Sequence, residues 1–197
     1  WCLSCVPEAR ALARLYAEYH DRGLEVLAVD AQFDETPADL DRFRRELGTD
    51  YIDILLLHCM IAGDWPERMK PVMDVITEAR ERGIVRTHGV SCHSLAALSA
   101  AAADPWTQVI LARINPAGIA MDGSPDAVIP VLKKAKAAGK GVIGMKILGV
   151  GRLRSRADEC LRYAMTLGCV DCFTIGIESR EELDDLLSRI ARVGALA

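Results

Sequence analysis

From Tyr51 onward the apolar positions alternate between two grammars. Ile52, Ile54, Leu55, Leu56 and Leu57 make a nearly continuous apolar run, too short for an ordinary helix and preceded by a Gly-Thr-Asp turn signal. Such a run reads as a strand buried on both faces, as in a parallel sheet covered by helices. Residues 65–82 then switch to helical spacing, with Met69, Val72, Met73, Ile76 and Ala79 on one face and Gly83 as the stop. The alternation repeats with strands at 84–92, 109–115, 142–147 and 172–177, and helices at 94–103, 125–138, 156–167 and 180–193. Five strands with helical crossovers and short loops predict an α/β fold with a parallel sheet and right-handed connections. His58 closes the first strand at its carboxyl end, where the loops of such folds gather.

The first 35 residues have a different character. Cys2 and Cys5 precede Pro7 and Glu8, and Val6, Ala9, Leu12, Ala13, Tyr16 and Tyr19 recur at helical spacing up to Gly23. Leu24–Ala31 (LEVLAVDA) then reads as a strand. Unpaired N–H groups at a helix N-terminus stabilise a thiolate, so Cys2 would be the attacking thiol and Cys5, one turn on, the resolving one. Residues 36–50 read as a helix opened by Thr36-Pro37, with Leu40, Phe43 and Leu47 on one face, and no Gly/Ser linker marks a boundary.

Charge and composition remove several functions. The net charge of −4 is interspersed, so no basic footprint for nucleic acid is present. No apolar run approaches the ~18 residues of a membrane span. No signal-peptide pattern opens the chain, which starts at Trp1, a start that reads as a cut N-terminus. Seven cysteines are an odd number, and Cys59, Cys92 and Cys160 lie in apolar or helical contexts, where they read as small buried hydrophobes. That usage suits a reducing compartment, and a cytoplasmic location is expected. Cys169 and Cys172 repeat the CxxC spacing, but nothing brings them predictably to Cys2 and Cys5, so no metal site is expected. Alternation puts His88 on the strand face opposite Ser91, directed away from the site.

Two strings carry resemblances. RELGTDYIDILLLH resembles the fourth strand of the aldo/keto reductases, and the likeness continues to about Arg192. It implies a partial TIM (β/α)8 barrel, strands four to eight, over residues 36–197. WCLSCVPEARAL resembles thioredoxin-like reductases over about 35 residues, implying a partial thioredoxin-like CxxC-helix-strand unit at 1–35 that would also allow a periplasmic location. The reductase resemblance implies hydride transfer from NADPH to an aldehyde or ketone, with His58 orienting the carbonyl. By the same match Ser91 in GVSCHS and Asn115 in ARINP would hold the nicotinamide carboxamide, where the family commonly has Ser-Asn and Gln. Met145 would cover the ring and Lys146 would point at the site. Leu148, Gly149, Gly151 and Arg152, in KILGVGRL, would wrap the pyrophosphate, and Ser179 and Arg180, in IGIESREEL, the 2′-phosphate.

The same resemblance implies an impairment. The family's proton-donor Tyr, with its Lys and Asp, lies on the first three strands, and Tyr16, Tyr19, Tyr51 and Tyr163 do not match it. The expected function is NADP(H)-dependent reduction of a small-molecule carbonyl, weak in this chain. The alternative is thiol–disulfide exchange through Cys2 and Cys5. A five-strand arc leaves two sheet edges, which an oligomer, or the strand Leu24–Ala31 beside Tyr51–Cys59, could cover.

Overall fold

The computed structural model describes residues 48–195, together with Arg42, Arg44 and Arg45. The expected CxxC unit at 1–35, the strand Leu24–Ala31 and most of the helix at 36–47 lie outside the described residues. The elements run β1 (Ile52–Met60), α1 (Trp65–Arg68), α2 (Lys70–Glu81), β2 (Val85–Cys92), α3 (Leu95–Ala103), β3 (Val109–Arg113), α4 (Pro125–Ala137), β4 (Gly141–Met145), a 3₁₀ turn (Arg154–Arg156), α5 (Ala157–Thr166), β5 (Cys172–Phe173) and α6 (Arg180–Gly194). The five strands form one sheet in the order β1-β2-β3-β4-β5, so each β–α connection leads to the neighbouring strand. This is the α/β architecture read from the sequence.

Two differences have local causes. The helix expected over 65–82 is broken at Met69 into α1 and α2. Pro71 lacks an N–H and its ring crowds the carbonyl four residues back, so a helix cannot run through it. The last strand, expected over 172–177, is only two residues long. Ile143 and Gly144 pair with Cys172 and Phe173, and beyond these Thr174 N–H still donates to Gly144 O at 2.8 Å. It has a neighbour on one side only, and the following glycine, Gly176, weakens further pairing.

The chain divides into two compact units. The first holds His58 and the residues before it, with residues 67–89. Leu55, Leu56 and Leu57 of β1 are buried there, as are Met73, Ile76 and Ala79 of α2. Ile52 N–H donates to Ile84 O at 2.8 Å. Arg86 bonds Asp53 at 2.8 Å and lies 3.6 Å from the Tyr51 ring centre, so the solvent end of this layer is closed by charge and an aromatic face.

The second unit holds residues 59–66 and 90–197. Here β3 pairs in parallel with β4 from Val109–Gly141 to Arg113–Met145. Ile110, Ala112, Ile114, Val142, Leu98, Val128, Leu132 and Leu161 are buried almost completely. Helix α3 packs on α4, and α5 on α6. Ser94 starts α3 by accepting Ala97 N–H at 3.0 Å. Gly139 ends α4 at φ +81°, a conformation that leaves Lys140 N–H on Ala135 O at 3.1 Å. The Lys140 ammonium is drawn inward onto the carbonyls of Asp104 and Thr107, at 2.6 and 2.7 Å.

A glycine inside β4 sets the packing limit of this unit. A Cβ on Gly144 would stand 3.0 Å from Ile114 Cγ2, 3.1 Å from Ile147 Cδ1 and 3.3 Å from Val170 Cγ1. Ile114 Cγ2 and Val170 Cγ1 are branch methyls fixed near the backbone, and Ile147, whose Cδ1 could turn, is buried. Gly144→Ala is therefore expected to destabilise the protein by about 1–3 kcal/mol through overpacking, although alanine is the better strand residue. Urea unfolding of the variant beside the wild type measures it.

Candidate active site

Cys2 and Cys5 lie outside the described residues; the other expected site residues are described. Ser91, near the carboxyl end of β2, is buried, and its Oγ accepts the Cys59 N–H at 3.3 Å. Met145 ends β4 and is buried, with its carbonyl accepting Ile114 N–H at 2.9 Å. Lys146 follows, exposed, at φ +59°. His58 belongs to the first unit, where it lies in β1 with its side chain exposed.

Asn115 is used differently from the expectation. The resemblance gives its amide to a cofactor. The structure spends it on backbone: Nδ2 donates to Ile119 O at 2.8 Å and Lys146 O at 3.2 Å, and Oδ1 accepts Ala117 and Ile119 N–H at 3.2 and 3.0 Å. Two donors and two acceptor sites are the whole capacity of a carboxamide side chain. With no exposed surface, Asn115 is a clamp that closes the turn after β3 and holds the start of the loop after β4.

That loop, residues 146–152, is wound by left-handed backbone. Lys146, Gly149, Val150 and Gly151 all have positive φ. At Gly149 the conformation and the space both exclude a side chain, because a Cβ would lie 3.1 Å from Leu153 and 3.2 Å from Ile119. Leu148 is half-buried, and Gly151 and Arg152 are exposed. Glycine backbone open to solvent beside an arginine is a surface that a phosphate can approach.

The start of α6 lies next to this loop. Arg154 reaches Glu178 and Glu182, both at 3.8 Å. Ser179 caps the helix by accepting Glu182 N–H at 3.2 Å. Arg180 is largely exposed and meets both carboxylate oxygens of Asp184 at 3.3 Å. An anion at this terminus would meet a helix N-terminus and one arginine, and would compete with Asp184 for it. Helix α6 is also tied to α5, where Asp158 accepts from Arg189 and Arg192 at 2.6 and 2.7 Å. The hydrogen bonds from Arg192 and Arg189 hold the Asp158 carboxyl below its ordinary pKa.

Three residues at the strand ends did not stand out in the sequence. Asp122, in the loop after β3, has a fully buried side chain held by Arg113, whose Nε donates to its Oδ1 at 2.9 Å. Burial pushes its carboxyl pKa up, and the charges of Arg113 and His93 pull it back. Cys59, read as a buried hydrophobe, is half-buried and sits at φ +60° with Sγ 3.1 Å from His93 Nδ1. Only the lone cationic partner in ARIN hinted at Asp122, and nothing in the sequence pairs Cys59 with His93. His88, expected to point outward, is buried, and desolvation and Arg80 lower its pKa.

A sequence model of the aldo/keto reductase family matches residues 27–193. The chain belongs to this family. The match covers all five strands and begins within the segment Leu24–Ala31. Similar solved structures include aldo/keto reductases. A candidate aldo-keto reductase from Pseudomonas aeruginosa superposes with a TM-score of 0.72 at 17% identity, over 94% of this chain and 70% of that one. The holo form of an aldo-keto reductase from Bacillus halodurans gives 0.68 at 13% identity, over 96% and 77%. A Bombyx mori aldo-keto reductase in complex with NADP gives 0.60 at 15% identity, over 96% and 75%. At these identities the likeness is one of fold, and it identifies the sheet as part of an aldo/keto reductase barrel. No curated protein matches the sequence. Among the described residues, no helix is long and apolar enough to cross a membrane.

In aldo/keto reductase terms the residues fit a dinucleotide unevenly. The exposed Gly151 and Arg152, and Arg180 at the start of α6, suit its phosphates. The carboxamide end fits less well, because the amide of Asn115 is fully engaged.

Proposed function

We propose that the chain is an oxidoreductase of the aldo/keto reductase type that uses NADP(H) and acts on aldehyde or ketone carbonyls. The observation that carries this reading is the family match over residues 27–193. Within it Ser91 near the end of β2, Asn115 after β3 and the loop 146–152 after β4 belong to one compact unit. The bound nicotinamide would supply the hydride. His58 would orient the substrate carbonyl by hydrogen bonding, and Arg152, Ser179 and Arg180 would hold phosphates. Ser91 would offer its hydroxyl proton to the carboxamide while its oxygen accepts the Cys59 N–H. Asn115 contributes by positioning Lys146 and the loop. No tyrosine of this sequence matches the family's proton donor, so the 197-residue chain is expected to bind cofactor and to reduce carbonyls slowly.

Titration with NADPH, followed by quenching of tryptophan fluorescence, tests the reading. Saturable binding is expected, weakened about 5-fold in Arg180→Ala, the ~1 kcal/mol of an exposed ion contact. NADH should bind more weakly than NADPH, because it lacks the 2′-phosphate. No saturation up to millimolar NADPH would overturn the assignment. Thiol–disulfide exchange through Cys2 and Cys5 remains the second reading, and its supporting observation is the CxxC spacing before an amphipathic pattern.

A further inference from the structure

A thiol and an imidazole meet in the second unit in an arrangement that carbonyl reduction does not use. Cys59 Sγ lies 3.1 Å from His93 Nδ1. The pair is held by backbone on both sides. Cys59 N–H donates to Ser91 Oγ at 3.3 Å, His93 N–H to Met60 O at 2.8 Å, and Ser94 Oγ to Ile61 O at 2.7 Å. These bonds clamp the end of β1 to the end of β2, so the sulfur and the ring do not depend on their own rotamers alone for their meeting. Both side chains are half-buried, within reach of a small molecule. Cys59 takes a left-handed backbone that a non-glycine residue seldom adopts.

A third group, Asp122, is coupled to the ring by charge. Asp122 has no exposed side-chain surface; Arg113 holds its Oδ1, and its Oδ2 has no hydrogen-bond partner. The positive charge of His93 acts on this carboxylate. A buried carboxylate oxygen without a donor, in the field of an imidazole, favours the charged ring. The ring in turn favours the thiolate. Nucleophile, base and orienting acid are the parts of an activated thiol. Burial pushes the thiols of Cys92, Cys160, Cys169 and Cys172 up.

We propose that Cys59 and His93 form a thiolate–imidazolium nucleophile that captures α,β-unsaturated carbonyl compounds. The thiolate attacks the β-carbon and a carbon–sulfur bond forms. The π pair of the C=C moves to the α-carbon as an enolate, and the Nδ1 proton of His93 is delivered there. The product is a saturated carbonyl joined to Cys59 by a thioether, and His93 is left neutral. No oxidant, leaving group or cofactor enters the balance. The proposal does not rest on the reductase reading, and the chain can fail to bind NADPH and still react in this way.

The test treats the full chain with but-3-en-2-one at pH 6.5 and follows each cysteine by peptide mass spectrometry, which separates Cys2 and Cys5 from Cys59. Cys59 is expected to react about tenfold faster than the exposed Cys172. His93→Gln should slow Cys59 about tenfold and leave Cys172 unchanged. The pH profile gives a readout that a merely structural role would not move. The charged group coupled to the ring is Asp122, from the loop after β3, itself paired with Arg113 of β3. In the wild type the Cys59 rate should already be high below pH 7. In His93→Gln it should climb with an ordinary thiol ionisation near ~8.5. A wild-type rate that itself follows an ordinary thiol, or Cys59 no faster than Cys172, overturns the proposal. The wild-type profile decides even where the variant does not fold.

Discussion

Replacing Arg113 by Met lowers the stability of the protein by about 3–5 kcal/mol at neutral pH, the usual cost of removing one partner of a buried ion pair. The size follows from Asp122, whose side chain has no exposed surface, while that of Arg113 is only 18% exposed. Without the guanidinium the carboxylate must stay charged in a dry site or take up a proton. The sign with pH is then set. Burial already raises the Asp122 pKa above its unfolded value, and losing Arg113 raises it further. A carboxyl raised on folding stabilises below its unfolded pKa of about 3.9 and loses that contribution as pH rises through the folded value. The deficit of Arg113→Met is therefore greatest near pH 7 and shrinks as the medium is acidified toward pH 5. Urea unfolding at the two pH values measures this. The double change Arg113→Met with Asp122→Leu should recover most of the loss, because an apolar pair has no charge to strand. An equal deficit at both pH values would show that the pair is held by packing instead.

The second large effect is at Asn115. Asn115→Ala strands two N–H groups and two carbonyls of residues 117, 119 and 146 at once. Each buried polar group left unmade costs about 1–3 kcal/mol, and water can enter the small space left by the missing amide. A net loss of about 3 kcal/mol is expected, a fall in thermal midpoint of roughly 6–12 °C for a chain of this size. The loop 146–152 should loosen with it, so NADPH binding should weaken although Asn115 itself makes no bond to spare. Asn115→Asp separates the roles. It keeps the acceptor for Ala117 and Ile119 but aims a carboxylate at the carbonyls of Ile119 and Lys146. It should be as unstable as the alanine variant, or more so. A stable Asn115→Asp protein with unchanged loop protection in hydrogen exchange would contradict the clamp.

The two positions show where sequence reading carries and where it stops. Strand ends are readable to within a residue or two because a polar residue interrupts the apolar run near them, as at His58 and Ser91. What the polar residue then does depends on which backbone the neighbouring strand brings beside it. Asn115 has the functional groups of a carboxamide ligand, and its position after β3 matched. The Lys146 carbonyl that claims it lies 31 residues away and arrives only when β3 and β4 pair in register. Helix α2 shows a local failure of a different kind. The apolar spacing through 65–82 is helical throughout, but Pro71 overrides it, and its chemistry was present in the sequence to be weighed.

By itself, the sequence determined the order of elements, the five strands and the helix stop at Gly139, and it named the family. These follow from short-range causes: apolar period, the missing N–H of proline and the left-handed backbone open to glycine. The tertiary structure decided the partners of the polar groups. It buried Asp122 against Arg113, turned Asn115 onto backbone, drew Lys140 inward and set Cys59 beside His93 from 34 residues away. A polar side chain has several chemically equivalent partners along a chain. Strand pairing and helix packing select one of them by distance, and distance is not written in the local pattern.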